Sequence, residues 1–293
     1  MAVLYHYCSN AAFLSIISTH KIYASEFTLS NDILEGKWIR EVVQRYCNEK
    51  NVSFYNANTI IEEVDKLTSF LGAAGICLSQ EGDLLSQWRA YSTNGSGVSI
   101  GFDQSCFGVD GSPLPSLQQI IYEPTDQKKL IQNRMDRAIE LVGKGAIGSG
   151  RIRSLLETAG QSEHDKREKQ ALDREFLVEI FALFPHFYIL KNPAFQEERE
   201  WRSVTLIIPQ NNVNPDAESE GSGWYLNQMD FRALADRIVP HKEFSLDNNL
   251  GSSVICEVIL GPRNVTPVRV VEAALLHHGW KGVPVRKSTA SYR

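Results

Sequence analysis

Cysteine is scarce and scattered. Cys8, Cys47, Cys77, Cys106 and Cys256 form no CxxC pair and have no histidine at zinc-finger spacing. Their odd number and wide separation exclude a disulfide framework and a structural zinc module, so they read as reduced, small apolar side chains. Long hydrophobic runs are also missing. None reaches the roughly 18–20 residues that a membrane-spanning helix requires, and Met1 to Cys8 is interrupted by polar side chains rather than built like a signal peptide. The expectation is a cytoplasmic protein with no membrane partner. An excess of positive charge is absent as well: 30 Lys and Arg face 35 Asp and Glu, for a net charge of -5. That balance excludes a broad electrostatic footprint for duplex DNA, although a nucleic acid held in a local groove stays open. Glycine (20) and proline (11) are too few for a fibrous or disordered chain, and there is no internal repeat.

What is present is ordinary globular material, 43% hydrophobic and 22% charged over 293 residues, enough for a sizeable core. Strand-like and helix-like segments alternate irregularly, which points to an α+β class. Val3 to Cys8 reads as a strand with Leu4, His6 and Cys8 on one face and Val3, Tyr5 and Tyr7 on the other. Ser9 or Asn10 then caps a helix through Phe13, Ile16 and Ile17. Ile22 to Ser25 reads as a short strand, and Asn31 or Asp32 as the cap of a helix bearing Leu34, Trp38, Val42 and Tyr46. A helix over Thr59 to Phe70 follows. Gly75 to Ser79, Val98 to Phe102, Gln119 to Tyr122, Trp201 to Ile208, Ile238-Val239 and Val254 to Leu260 read as strands, and Leu84 to Tyr91 as a helix. From about Asp126 to Leu190 the texture turns helical, as an insertion in a single domain covering 1–293. Gly143 to Gly150 is its internal loop, and Asn211 to Ser222 is a polar loop. Near the end, Val268 to His278 is an amphipathic helix stopped by Gly279, and Val283 to Val285 an edge strand.

The densest group of chemically capable side chains is Glu198-Arg199-Glu200-Trp201-Arg202. Strand alternation from Glu198 onward places Glu198, Glu200 and Arg202 on the face shared with Val204 and Leu206. Two acids and an arginine at the head of an apolar face form either an internal ion pair or a site at the strand's end. His6 stands just before a helix start, where backbone N–H groups point outward, so both together offer a grip on a ligand; the alternative is a satisfied, partly buried histidine. Trp88 and Tyr91, at i and i+3 around Arg89, suit either stacking on a planar ring or core packing. The Asn94 to Gly97 turn is a weak phosphate cradle. Asn31, Asp32 and Glu35 offer oxygen ligands to a metal, the alternative being a helix cap supplied by Asn31 or Asp32. His277 and His278 point apart on a helix end. There is no GxSxG elbow and no readable Cys/His dyad.

Several blocks together resemble a bacterial family known as domain of unknown function 2971. They are Leu4-Tyr5-His6-Tyr7; Leu29-Ser30-Asn31-Asp32 with Glu35; Cys77-Leu78-Ser79; Gln87-Trp88-Arg89-Ala90-Tyr91; Gly97 to Phe102; Lys191; Glu198 to Arg202; Gly261-Pro262-Arg263; and Lys287-Ser288. More distantly, His6, Tyr91 and Glu200 occur in the order of the His, Tyr and Glu of ADP-ribosyltransferases. That resemblance implies a split sheet, so the expected fold is a mixed, mostly antiparallel split sheet flanked by helices. It implies NAD as co-substrate, with His6 holding a ribose hydroxyl, Tyr91 stacking on nicotinamide and Glu200 bonding the nicotinamide ribose. Tyr7 and Trp88 join the cofactor-binding set, Glu198 orients the acceptor, and Arg89 or Arg202 neutralises the pyrophosphate. The implied activity is ADP-ribosyl transfer to a protein or nucleic acid, or NAD hydrolysis, in a toxin or defence effector. Two other readings stand beside it. One is a non-catalytic module in which Trp88, Tyr91 and Arg202 sense a nucleotide; the other is a metal-dependent nuclease using Asp32, Glu35, Glu198 and Glu200.

Overall fold

The strand that organises the molecule is its least bulky one, Gly-Ala-Ala-Gly-Ile-Cys-Leu-Ser. The computed structural model describes residues 2–27, 35–110, 112, 114–146, 163–207, 229–234, 237–247 and 254–292. In chain order its strands are β1 (Val3–Cys8), β2 (Lys21–Glu26), β3 (Gly72–Ser79), β4 (Val98–Asp103), β5 (Leu117–Gln119), β6 (Glu200–Ile207), β7 (Asp230–Ala233), β8 (Ile238–Ser245), β9 (Ile255–Leu260) and β10 (Val285–Lys287). The helices are α1 (Asn10–Thr19), α2 (Trp38–Glu49), α3 (Phe54–Phe70), α4 (Leu85–Tyr91), α5 (Pro124–Gly143), α6 (Glu163–Phe181) and α7 (Val268–His277).

The strands form one sheet in the order β10-β9-β4-β1-β3-β2-β8-β7, with β6 along β3 and β5 along β6. Every strand pairing among the described residues is antiparallel except β9 with β10. The α+β, mostly antiparallel expectation is therefore met. Strand β3 pairs with β6 along all its length, from Gly72 opposite Ile207 to Ser79 opposite Glu200. Its other edge is shared: β1 meets it at Ser79, and β2 meets it at Gly75 and Ala74. Between those contacts, Ile76 to Leu78 have no strand on that side among the described residues, and this gap is where the sheet splits.

Alternation sends β3 side chains into two cores. Ile76 and Leu78 join Leu4, Cys8, Ile100 and Val258 beneath α1 and α7. Ala73 and Leu71 join the opposite core, built from α2, α3, α5 and α6, where Tyr46, Phe176, Phe184 and Phe187 are almost wholly buried. Burying each such ring stabilises the fold by about 1.5–3 kcal/mol. The small residues of β3 have a steric reason. A methyl group on Gly75 would collide with the Phe27 ring, which itself stacks on Tyr188 at 5.1 Å. Helices α5 and α6, from the stretch read as an insertion, share one core with α2 and α3.

Boundaries differ from the sequence reading where local chemistry overrides pattern. Helix α2 begins at Trp38 with Lys37 at its cap position; Asn31, Asp32 and Leu34 lie outside the described residues, as do Asn211 to Ser222 and all of Gly143 to Gly150 beyond Ala146. The strand expected at Gln119 to Tyr122 is instead β5, Leu117–Gln119, while Ile121 makes an isolated parallel bridge with Leu190. Strand β7 was not anticipated at all. Helix α7 does stop at Gly279, whose φ of +88° suits a residue without a Cβ. No helix among the described residues is long and apolar enough to cross a membrane.

Candidate functional site

Glu200 opens β6 and Arg202 lies two residues on, so both face the helical core, opposite Ser79 and Cys77 of β3. Arg202 is completely buried, and each of its five N–H groups has a partner. Nε donates to Glu200 Oε1 at 2.7 Å and Nη2 to Glu200 Oε2 at 2.8 Å. Nη2 also donates to Glu35 Oε2 at 2.8 Å, and Nη1 to Glu35 Oε1 and to the Tyr188 carbonyl oxygen at 2.9 Å. Phe27 covers the guanidinium at 5.1 Å. Glu35 is thus a bidentate arginine partner rather than a metal ligand, both of its oxygens being taken by Arg202.

The network continues through Lys191, which the sequence offered only as a block of the family resemblance, without a role. Lys191 Nζ donates to Glu200 Oε2 at 2.9 Å and to Glu198 Oε2 at 2.6 Å. Tyr91 donates its hydroxyl proton to Glu198 Oε1 at 3.3 Å. Glu198 is not part of the strand: it ends a 3₁₀ turn over Pro193–Glu198, and Arg199 in the left-handed region (φ 45°) turns the chain into β6. The result is an unbroken line Tyr91–Glu198–Lys191–Glu200–Arg202–Glu35. The sequence signal for Lys191 was its place among the blocks of the family resemblance; the two buried acids it bridges give the physical reason for it.

The two central acids are driven in opposite directions. Burial pushes the Glu200 carboxyl up, but the charges of Arg202 and Lys191 and their hydrogen bonds outweigh it and hold the group at about 2. At Glu198 burial is the largest influence and wins against the single ammonium of Lys191, so its proton affinity is raised. Burial, helped by Glu198, also raises the Tyr91 phenol, which stays protonated and able to donate.

Cys77 marks the way in. It is exposed although it lies in a central strand, while Ile76, Leu78, Ser79 and Arg202 around it are buried. An exposed side chain ringed by buried ones is an opening over the sheet. The thiol is nonetheless pushed well up by burial among protein atoms and by the Glu200 charge, which keeps it a thiol rather than a nucleophile. On the other side of the same residue, His6 Nδ1 donates to the Cys77 carbonyl oxygen at 3.1 Å, filling the split between β1 and β2. Burial lowers the His6 proton affinity against the pull of that bond, and the Arg232 charge lowers it further. His6 therefore touches the Cys77 backbone, while Tyr91 and Glu200 belong to the ion line and are linked through Glu198 and Lys191.

Other expected ligand contacts are spent inside the protein. Trp88 is wholly buried, edge-on to Tyr7 at 4.8 Å, and its Nε1 donates to Asp83 Oδ1 at 2.7 Å, so no face is left for a ligand. Tyr7 donates to the Glu81 carbonyl oxygen at 2.6 Å and accepts from Leu84 N at 2.9 Å. Arg89 lies 4.7 Å over the Tyr292 ring, away from the ion line, and Arg202 has no free donor for a pyrophosphate. The Asn94 to Gly97 turn directs its N–H groups to Trp88, Ser92 and Thr93 carbonyl oxygens. The α1 start is closed by Ser9 capping Ala12 N, and Asn10 bonds Ser96 and Asn264. As for a divalent cation, the Lys191 ammonium already stands between Glu198 and Glu200, and Arg202 holds both Glu35 oxygens. Among the described residues, the acids and histidines that gather at metal-ligand closeness are His164, Asp165 and Glu168, all exposed on α6.

Comparison with curated proteins and with solved structures finds no match. Residues 87–203, the stretch that carries Tyr91, Lys191, Glu198, Glu200 and Arg202, match the family model described as Protein of unknown function (DUF2971).

Proposed function

We propose that the opening over Cys77 is a nucleotide site at which a glycosidic bond is broken, with NAD as co-substrate and Glu198 as the group that exchanges a proton. The supporting observation is the pair of carboxylates bridged by one ammonium, Glu200 held ionised and Glu198 pushed toward protonation. Two acids whose proton affinities are separated in this way suit different roles at a sugar carbon, one staying ionised and the other exchanging a proton. When the nicotinamide–ribose bond breaks, its electron pair leaves with nicotinamide and the ribose becomes oxocarbenium-like. With Glu198 ionised, the line from Glu198 to Glu35 holds three carboxylates and two cations, an excess of one negative charge to stabilise that state. Glu198 then accepts the proton of the attacking water or acceptor hydroxyl. Glu200 is a positioning residue, because three charge-assisted hydrogen bonds leave it unavailable to attack. An enzyme that consumes NAD this way would serve as a toxin or defence effector, with a protein or nucleic acid as acceptor.

Incubation with NAD⁺ and chromatographic measurement of nicotinamide tests this. Glu198→Gln is expected to lower release at least about 100-fold, the usual worth of a positioned acid–base group. Turnover by Glu198→Gln equal to wild type, or none by wild type with water, protein and RNA as acceptors, overturns it. A non-catalytic sensing role for a small-molecule nucleotide is the second reading, and the locking of Glu200 by Lys191 and Arg202 favours it. Calorimetric binding of an intact nucleotide with no product by mass spectrometry would select that reading.

A further inference from the structure

A second arginine on the same face of the sheet contrasts with Arg202 in every respect. Across antiparallel pairs, opposite residues share a face, and so do alternate residues along a strand. Ser25 of β2 lies opposite Gly75 of β3 and opposite His241 of β8; Asp230 of β7 lies opposite His241, and Arg232 opposite Val239. Cys77, Ser25, His241 and Arg232 therefore line one surface, and Ser25 is about 7 Å along the strand direction from the level of Cys77.

Arg202 has two carboxylates and five satisfied donors. Arg232 has no carboxylate within ion-pair distance among the described residues. Its Nη2 donates to Ser25 Oγ at 2.8 Å, its guanidinium lies 5.1 Å from the centre of the Tyr23 ring, and its Nε is buried without a partner. Beside it stands His241, only 3% exposed, whose Nδ1 is likewise buried and unpartnered. The His241 ring lies 4.3 Å from Tyr23, and its Nε2 is 3.9 Å from Glu243, whose other oxygen takes Lys21 Nζ at 2.6 Å. Burial holds the Arg232 guanidinium below its usual value, with no acid opposing it. A half-buried cation and two idle polar nitrogens are costly to maintain unless something brings a negative charge to them. A tetrahedral oxyanion matches a guanidinium fork, and Nε, without a partner, is the donor left to take it.

We infer that Arg232, with Ser25, Tyr23 and His241 around it, forms an anion subsite that takes a phosphate group, supplied either by the pyrophosphate of a nucleotide in the opening over Cys77 or by free phosphate. The subsite stands whether or not a glycosidic bond is broken next to it. It also replaces Arg202, whose donors are all used, and Arg89, whose guanidinium lies over the Tyr292 ring, in the pyrophosphate-binding role.

Calorimetric titration of the full chain with ADP, inorganic pyrophosphate, inorganic phosphate and adenosine tests the inference. ADP and pyrophosphate are expected to bind at least 10-fold more weakly to Arg232→Gln than to wild type, and Arg232→Lys, which keeps the charge without the fork, is expected to fall between. Binding of ADP well above phosphate and pyrophosphate identifies a nucleotide as the source; equal binding of the free anions identifies free phosphate. Thermal denaturation guards against misfolding: removing an unpaired cation should leave Tm unchanged or raised, and phosphate should raise Tm for wild type but not for Arg232→Gln. Equal affinities of wild type and Arg232→Gln for ADP and pyrophosphate, or no binding of any of the three anions to wild type, overturn the inference.

Discussion

Arg202→Met keeps the length and the apolar stem that packs under Phe27 but removes five donors at once. What is left is Glu35 and Glu200, with 4% and 8% of their side chains exposed; Glu200 keeps only Lys191, and Glu35 loses its bidentate partner. Breaking a buried pair in this way costs about 3–5 kcal/mol. The depressed proton affinity of Glu200 gives a second route to the magnitude. Its carboxyl falls from 4.5 to about 2, and at about 1.4 kcal/mol for each pH unit the favourable charges around it contribute about 3 kcal/mol. Because the folded value is depressed, this stability is present above pH 4.5 and is lost as pH falls toward 2. Urea unfolding at pH 7 should therefore show a lower midpoint with unchanged slope, a large share of the 5–15 kcal/mol that a domain possesses. The gap between variant and wild type should narrow at pH 4, where stranded acids take up protons. Adding Glu35→Gln and Glu200→Gln to Arg202→Met should recover at least half of the loss. A deficit under about 1 kcal/mol at pH 7, or one of equal size at pH 7 and pH 4, would refute the view of this line as a buried charge network.

Glu198 should behave in the opposite sense: its folded proton affinity is raised, so ionisation costs stability as pH rises, and Glu198→Gln is expected to be at least as stable as wild type at pH 8 by thermal melting. Tyr91→Phe removes a hydrogen bond that favours ionised Glu198, and carbon-13 NMR titration of the Glu198 carboxyl should move further up. Cys77 should alkylate with iodoacetamide more slowly than a free peptide thiol at pH 8 despite its exposure, and faster in Glu200→Gln, because the Glu200 charge is one of the forces holding the thiol protonated. Trp88→Ala should cost about 3–5 kcal/mol in urea unfolding, as expected for a large side chain excised from a closed core.

Much of the architecture was legible because it is local. The runs at Val3 to Cys8, Val98 to Phe102 and Val254 to Leu260 announce strands by composition, and the periodicity of Leu130, Met135, Ile139 and Val142 announces α5. The acids and arginine of Glu198 to Arg202 stood out for the same reason, and alternation placed Glu200 and Arg202 on the correct face. What sequence could not supply was partnership at a distance. Glu35 lies 167 positions from Arg202, and nothing in its neighbourhood distinguishes a metal ligand from a remote counter-charge. Trp88 and Tyr91 share a helix face, yet the short α4 sinks one into the core and leaves the other 38% exposed. Arg232 was missed because β7 is four residues long and carries too little pattern to read as a strand.

The shared edge of β3 has a mechanical consequence. The set β1, β4, β9 and β10 and the set β2, β8 and β7 are each fastened to β3, but among the described residues no backbone ladder joins one set to the other. A flat molecule pushing in between them would have no interstrand amide pairing to tear; the tie it would displace is the His6 ring on the Cys77 carbonyl. The seam works as a slot latched by an imidazole, and its floor is the middle of the sheet.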